Sequence, residues 1–237
     1  INEAPSLTTN TGTSVINGCK VTLSDTMISV TDPDDTATGL TFTITTLPVN
    51  GVLVANGNDS LLLSDTFTQA DIINGIIEYL HNGSATTSDV FSFSLADGEE
   101  DGVTPLTNQN FNITVTPADD ASFDYSATTF CVNESDPTVT VTGLTGGTFS
   151  SSTGLSLNTA TGTIDLSAST PGTYSITYTT AGTCPNSSSV SVTINAMDDA
   201  SFNYSAAAFC VNESDPTATI TGLTGGTFSS STGLSLN

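Results

Sequence analysis

A stretch of forty residues occurs twice, almost unchanged, within this chain of 237. Asp119 to Asn158 reads DDASFDYSATTFCVNESDPTVTVTGLTGGTFSSSTGLSLN, and Asp198 to Asn237 reads DDASFNYSAAAFCVNESDPTATITGLTGGTFSSSTGLSLN. Cys131 and Cys210 set the spacing at 79 residues. Five of the forty pairs differ, all mildly: Asp124/Asn203, Thr128/Ala207, Thr129/Ala208, Val139/Ala218 and Val141/Ile220. Repeats of this length are single supersecondary units stacked in series, so the chain has to fold as an array of small domains.

The complete copy spans residues 118–197 and is a row of short alternating runs: TVTVTG from Thr138, GLSLN from Gly154, GTIDLS from Gly162, GTYSITYTT from Gly172 and SSVSVTIN from Ser188. Apolar residues at every second position, bounded by Gly, Pro, Asn and Ser, predict half-buried strands spaced as in a two-sheet sandwich. The inward set is then Val139, Val141, Leu155, Leu157, Ile164, Leu166, Tyr174, Ile176, Val190, Val192 and Ile194. Residues 198–237 hold only the opening half of this pattern. They are expected to begin a further copy whose remaining strands lie past Asn237, because half a sandwich cannot bury enough apolar surface to offset its chain entropy.

Residues 1–117 have no 79-residue echo. Their predicted strands are MISVTD from Met27, LTFTITT from Leu40, GVLVAN from Gly51, IIEYLH from Ile76, DVFSFSLAD from Asp89 and NFNITVTP from Asn110. One helical turn is expected where Thr68-Gln69-Ala70-Asp71 sets capping-box spacing before Ile72 and Ile73, with Gly75 ending it. The class is all-β, as tandem antiparallel sandwiches in an elongated array.

Charge narrows the partners. There are 24 acidic residues against one basic residue, Lys20, and no arginine, for a net charge of −23. A phosphate backbone needs a basic stripe, so nucleic acid is excluded, and an anionic membrane surface is excluded by the same sign. Catalysis is poorly provided for. The lone histidine, His81, closes a predicted strand beside a turn and reads as structural, and neither Trp nor Arg is present to form a sugar platform or clamp. The chain is expected not to be an enzyme.

The acids suit calcium better, since it takes six to eight oxygens from loop carboxylates and carbonyls. TDPDD supplies Asp32, Asp34 and Asp35; ADGEEDG supplies Asp97, Glu99, Glu100 and Asp101. The spacing is not that of an EF-hand, and a solvated acidic loop explains the same residues. Asp119-Asp120 and Asp198-Asp199 precede ASF at each junction and read either as hinge elements or as turn formers. Of four cysteines, Cys131 and Cys184 fall within one module and are expected to pair, closing a loop worth roughly 4 kcal/mol. Cys210 repeats Cys131, and Cys19 is expected to serve as a small buried hydrophobe.

Two resemblances add to this reading. ISVTDPDD, LPVNGVLV, FTQADIINGIIEYLHNG and DVFSFSLADG, in order over residues 28–98, resemble the cadherin-like repeat of chondroitin-sulfate-proteoglycan type. That resemblance implies a seven-stranded extracellular adhesion sandwich, with calcium at Asp32 and Asp34 and, by extension, Asp97. The 79-residue module, from FCVNESDPTVTVTGLTGGTFSS to GTYSITYTTAGTCPNSSSVSVTIN, is similar to immunoglobulin-like repeats of giant adhesins on gliding bacteria. Its Thr170-Pro171-Gly172-Thr173-Tyr174 looks like the turn and tyrosine that open the sixth strand of such domains. If that similarity holds, the Asp-Ser/Thr-apolar pattern of O-glycosylation in that group fits Thr26, Thr36 and Ser60. The expected role is a stalk of a secreted, repetitive cell-surface adhesin on the bacterial outer surface. It would reach a surface polysaccharide or other cell-surface ligand through regions outside this sequence. A glycan- or protein-binding module, or a non-catalytic arm of a secreted enzyme, is the alternative.

Overall fold

A computed structural model describes residues 3–97 and 106–235. It divides into two compact units: residues 1–120 with 182–186, and residues 121–181 with 187–237. Apart from one helical turn, all regular structure among the described residues is strand. No helix among the described residues is long and apolar enough to cross a membrane.

The first unit contains β1 (Ser6–Asn10), β2 (Thr13–Ile16), β3 (Lys20–Thr22), β4 (Ile28–Thr31), β5 (Thr41–Thr46), β6 (Gly51–Ala55), β7 (Asp59–Ser60) and β8 (Thr66–Thr68). These are followed by α1 (Gln69–Ile73), β9 (Ile77–His81), β10 (Ser88–Ala96) and β11 (Leu106–Thr116). A five-stranded sheet runs β2-β11-β10-β5-β8, a four-stranded sheet runs β3-β9-β6-β7, and β1 pairs with β4. All pairs are antiparallel except β2 with β11. The alternation predicted for DVFSFSLAD is realised: Phe91, Phe93 and Leu95 are fully buried and Val90 faces solvent. Phe91 lies directly opposite Phe111 across β10 and β11, with ring centroids 5.2 Å apart. Phe42 stacks on Phe67 at 4.9 Å, and each such side chain withdrawn from water contributes about 2 kcal/mol.

The expected helical turn is present. Thr68 is the N-cap, its hydroxyl accepts from Asp71 N–H, and the Asp71 carboxylate accepts from Thr68 N–H at 2.7 Å, which completes the capping box.

The second unit contains β12 (Phe123–Tyr125), β13 (Thr129–Cys131), β14 (Val139–Val141), β15 (Thr148–Ser151), β16 (Ser156–Leu157), β17 (Ile164–Asp165), β18 (Gly172–Thr179) and β19 (Ser187–Asn195). The order β13-β19-β18-β15 forms a four-stranded sheet, while β12 pairs with β14 and β16 with β17. Every run predicted in residues 138–195 carries a strand. Six of the expected inward residues, Ile164, Leu166, Tyr174, Ile176, Val192 and Ile194, are buried, and the other five pack half-buried at the cluster's edge. The Tyr174 hydroxyl donates back to Thr170 O at 2.5 Å and closes the turn that leads into β18. The centre of this core is aromatic: Phe123, Tyr125, Phe130, Phe149 and Tyr178 are all buried, Tyr178 in phase with Tyr174 and Ile176 along β18. Residues 198–235 add only β20 (Phe202–Asn203) paired with β21 (Thr219–Ile220).

Candidate functional site

The first unit is organised around a buried carboxylate. Asp89 opens β10 in phase with Phe91, Phe93 and Leu95, so the alternation carries it into the interior. There it accepts from the Tyr79 hydroxyl at 2.7 Å and from the N–H groups of Val49 at 3.0 Å, Asn50 at 2.9 Å and Val90 at 2.9 Å. Burial alone would raise its pKa. The hydrogen bonds from Tyr79, Val90, Val49 and Asn50 outweigh burial and hold the carboxyl below its usual value. Burial and the adjacent carboxylate push the Tyr79 phenol well above its usual range. Gly51 makes room for this pair, because a side-chain carbon there would lie 2.5 Å from the Tyr79 hydroxyl and from Leu80 O. Asp89 ties the turn before β6 to the start of β10. Sequence reasoning left it inside a strand; the signal that finds it is an acid standing in phase with buried phenylalanines.

His81 is likewise structural. It is buried at the end of β9, where Nδ1 accepts from Gly18 N–H and Gly83 N–H, each at 3.1 Å, and Nε2 faces Thr86 Oγ1 at 3.1 Å. The ring is thus engaged on both nitrogens, gathering two turns. Lys20, the chain's single cation, pairs with Glu78 at 2.9 and 3.1 Å.

The TDPDD loop follows β4. Asp32 Oδ1 accepts from Asp34 N–H at 2.9 Å and from Asp35 N–H at 3.1 Å. Hydrogen bonding from Asp34 N–H, foremost, holds the Asp32 carboxyl below its usual range, while the hydrogen bond shared with Asp32 raises that of Asp34. Asp97 is buried at the exit of β10, and its companions Glu99, Glu100 and Asp101 lie outside the described residues. Among the described residues no group of three or more His, Cys, Asp or Glu side chains comes together to hold a metal ion. The structure therefore brings Asp32 and Asp34 together but does not join Asp97 to them as a preformed site.

The cysteine pairing differs from expectation. Cys184 is bonded to Cys19 with Cα atoms 6.1 Å apart, and Cys131 is a free, half-buried thiol. The reason lies in strand register. Cys131 sits opposite Asn195 at the far end of β19, whereas Cys184 lies in the loop before Ser187, where β19 begins. Eight residues of strand separate those ends, roughly 27 Å at about 3.4 Å per residue, and no disulfide spans that. The loop 182–186 belongs instead to the first unit, where Cys19 is buried after β2. Cys19 is thus a cross-link and not merely a buried hydrophobe. Thr26, Thr36 and Ser60, the three O-glycosylation candidates, are all exposed.

Residues 5–115 match the family model described as Cadherin-like. Within the first unit, this stretch is similar to cadherin-like domains. Related sequences extend the observation. FRAS1-related extracellular matrix protein 1 of Homo sapiens is 36% identical over 98 residues, covering 41% of this chain. Extracellular matrix protein 3 of Lytechinus variegatus is 34% identical over 122 residues, covering 49% of this chain. The chain spans only 4% of the length of either relative. Among solved structures, repeats EC1-3 of mouse clustered PcdhgC3 align with 82% of this chain and 68% of that chain, at 15% identity and a TM-score of 0.30. Within the matched residues, the four motifs that carried the resemblance fall on β4, β6, α1 with β9, and β10.

Proposed function

We propose that this chain is a section of an extracellular, non-catalytic adhesion protein, in which serial β-sandwiches hold other regions at a distance from the cell. The observation that carries this reading is the cadherin-like match over residues 5–115, with relatives named as extracellular matrix proteins. The disulfide supports it, since such bonds persist in oxidising compartments. The finer proposal is a stalk of a bacterial surface adhesin. Its support is the near-identity of the two forty-residue copies set 79 positions apart, as in a recently lengthened array. Antibody against residues 119–197 should label intact cells that make the protein. Labelling only after permeabilisation would overturn the reading.

Calcium belongs to the same proposal. Asp32 and Asp34 stand on one turn, where a divalent cation could take oxygens from both carboxylates and from loop carbonyls. Millimolar calcium should then raise the melting temperature of the first unit relative to chelator, and Asp32→Asn with Asp34→Asn should remove the difference. Identical melting with and without calcium would reject the site.

A further inference from the structure

The two sandwiches end alike. In the first, the large sheet runs β2-β11-β10-β5, with the edge strand parallel to the last strand; in the second, β13-β19-β18-β15 repeats that order, again with the edge strand parallel to the last. The final rungs set Ile16 opposite Thr116 and Cys131 opposite Asn195. The edge strand then makes the same turn in both. Asn17 N–H donates to Thr116 O at 2.8 Å and Cys19 N–H to Ile16 O at 2.9 Å; Val132 N–H donates to Asn195 O at 3.1 Å and Glu134 N–H to Cys131 O at 3.0 Å. Cys19 closes this turn in the first unit and Cys131 opens it in the second, and the two ends of such a turn lie within about 7 Å of each other. Each sandwich thus carries one cysteine at the pole where its last strand leaves.

Cys19 is already paired. Its partner Cys184 lies in the loop between β18 and β19, and that loop is seated on Asp119. Asn186 Nδ2 donates to Asp119 O at 2.7 Å, and a side-chain carbon at Gly182 would collide with Asp119 Oδ2. Asp119 stands three residues past Thr116, and Asp198, the identical residue 79 positions on, stands three residues past Asn195. Asp198 lines an open pocket of about 660 Å³ together with Cys131, Asn133, Asn195, Ala196 and Met197. The counterpart of the loop's seat therefore lies beside a thiol, at the exit of the second sandwich.

We infer that Cys131 is one half of a disulfide whose other half is the cysteine corresponding to Cys184 in the copy of the repeat that follows. Consecutive domains are then cross-linked in series, from the exit turn of one to the β18–β19 loop of the next. Cys131 cannot take the cysteine of its own module, which lies at the other end of β19. Cys210 has the place of Cys131 in its own copy and would pair one copy further on. The bond forms by thiol–disulfide exchange with a small-molecule or protein disulfide as oxidant. One thiolate opens the oxidant's S–S bond to give a mixed disulfide, the second displaces the remaining half, and the oxidant leaves as two thiols carrying the two electrons and two protons. This inference rests on reading the chain as part of a serial array; it is independent of where the protein is displayed.

The test is made on the isolated protein. The full chain is lengthened by a second copy of residues 159–197 placed directly after Asn237, which completes the second module and supplies one added cysteine, the counterpart of Cys184. After oxidation in a glutathione redox buffer, the disulfides are mapped by mass spectrometry of non-reduced peptides. Two links are expected, Cys19 with Cys184 and Cys131 with the added cysteine, while Cys210 stays open to alkylation. A link between the added cysteine and Cys210, a link between Cys131 and Cys184, or an alkylated Cys131 would overturn the proposal. A second variant, Asp198→Cys in the chain of 237 residues, needs no added segment to fold. Oxidation should join position 198 to Cys131; free thiols at both would overturn the placement on which the cross-link depends.

Discussion

Residues 119–158 and 198–237 are nearly one sequence in two settings. In the first, five strands form; in the second, two form among the described residues. The two that survive, β20 and β21, correspond to β12 and β14, which pair with each other inside the forty-residue segment. The strands with no counterpart correspond to β13, β15 and β16, whose partners β19, β18 and β17 all come from residues 159–195. Local sequence thus suffices for the ladder that closes on itself and for the ring contacts that accompany it. A strand whose hydrogen bonds go to a distant segment exists only when that segment is there.

The sharpest way to break the contrast is to remove the cover from the first copy. Tyr178 packs at 4.7 Å from Phe149 and 6.0 Å from Phe123, and its hydroxyl joins Leu144 O to Gly147 N–H. Tyr178→Ala should cost about 4 kcal/mol. Amide exchange in residues 121–158 should then accelerate toward the rates of residues 200–235; unchanged protection would refute the role given to the cover.

Acid should act on the first unit through Asp89. Asp89→Ala leaves the Tyr79 hydroxyl and the Val49 and Asn50 N–H groups without their acceptor, a loss of about 3 kcal/mol near neutral pH. The depressed carboxyl makes its contribution above about pH 4 and loses it as pH falls through the folded-state value, so the gap between variant and parent should narrow in acid. Parallel melting curves for the two proteins from pH 6 to pH 2 would show that Asp89 is not an anchor.

A smaller effect separates sequence from setting. Writing the five differing residues of the second copy into the first, as Asp124→Asn, Thr128→Ala, Thr129→Ala, Val139→Ala and Val141→Ile, should cost about 2 kcal/mol, mostly through Val139. The copy should stay folded, with Phe123 and Phe149 buried. Unfolding of residues 121–158 in that variant would mean that the differences in sequence, not the absent cover, expose the second copy.

The mildest probe is thiol chemistry. Cys210 is exposed and Cys131 half-buried, so an alkylating reagent under native, non-reducing conditions should modify Cys210 first and Cys131 more slowly, leaving Cys19 and Cys184 unmodified. Modification of Cys184 without reductant would contradict the pairing with Cys19.

Much of the fold is legible in the sequence because the chain alternates cleanly wherever one face is buried. The runs from Met27, Leu40, Gly51, Ile76, Asp89 and Asn110 all carry strands, and Thr68-Gln69-Ala70-Asp71 states its cap outright. The strands β1, β2, β3, β7 and β8 are not legible, since none of SLTTN, TSVI, KVT, DS and TFT sets two apolar residues at alternate positions. The disulfide was misread for a different reason. Cys131 and Cys184 are neighbours in module order, but pairing depends on which end of a strand each one occupies, and register cannot be read from spacing alone. Asp89 was within reach of the alternation argument and required only that the phase be followed one residue further back. The Asp32 and Asp34 pair was visible as composition, whereas the opposite shifts of their carboxyls depend on one backbone turn.

The bond between Cys19 and Cys184 also decides how the molecule would yield under tension. The two sulfurs are 165 positions apart in the chain. A pull applied at the two termini travels from Cys19 straight to Cys184 and bypasses everything between, including most of the first unit and the first copy of the repeat. Even if those segments unfolded, they could not lengthen the molecule, which withholds roughly 580 Å of extension at about 3.5 Å per residue. Stretched singly, the oxidised chain would behave as a short tether and the reduced chain as a long one, so the redox state of its surroundings would set its maximum reach.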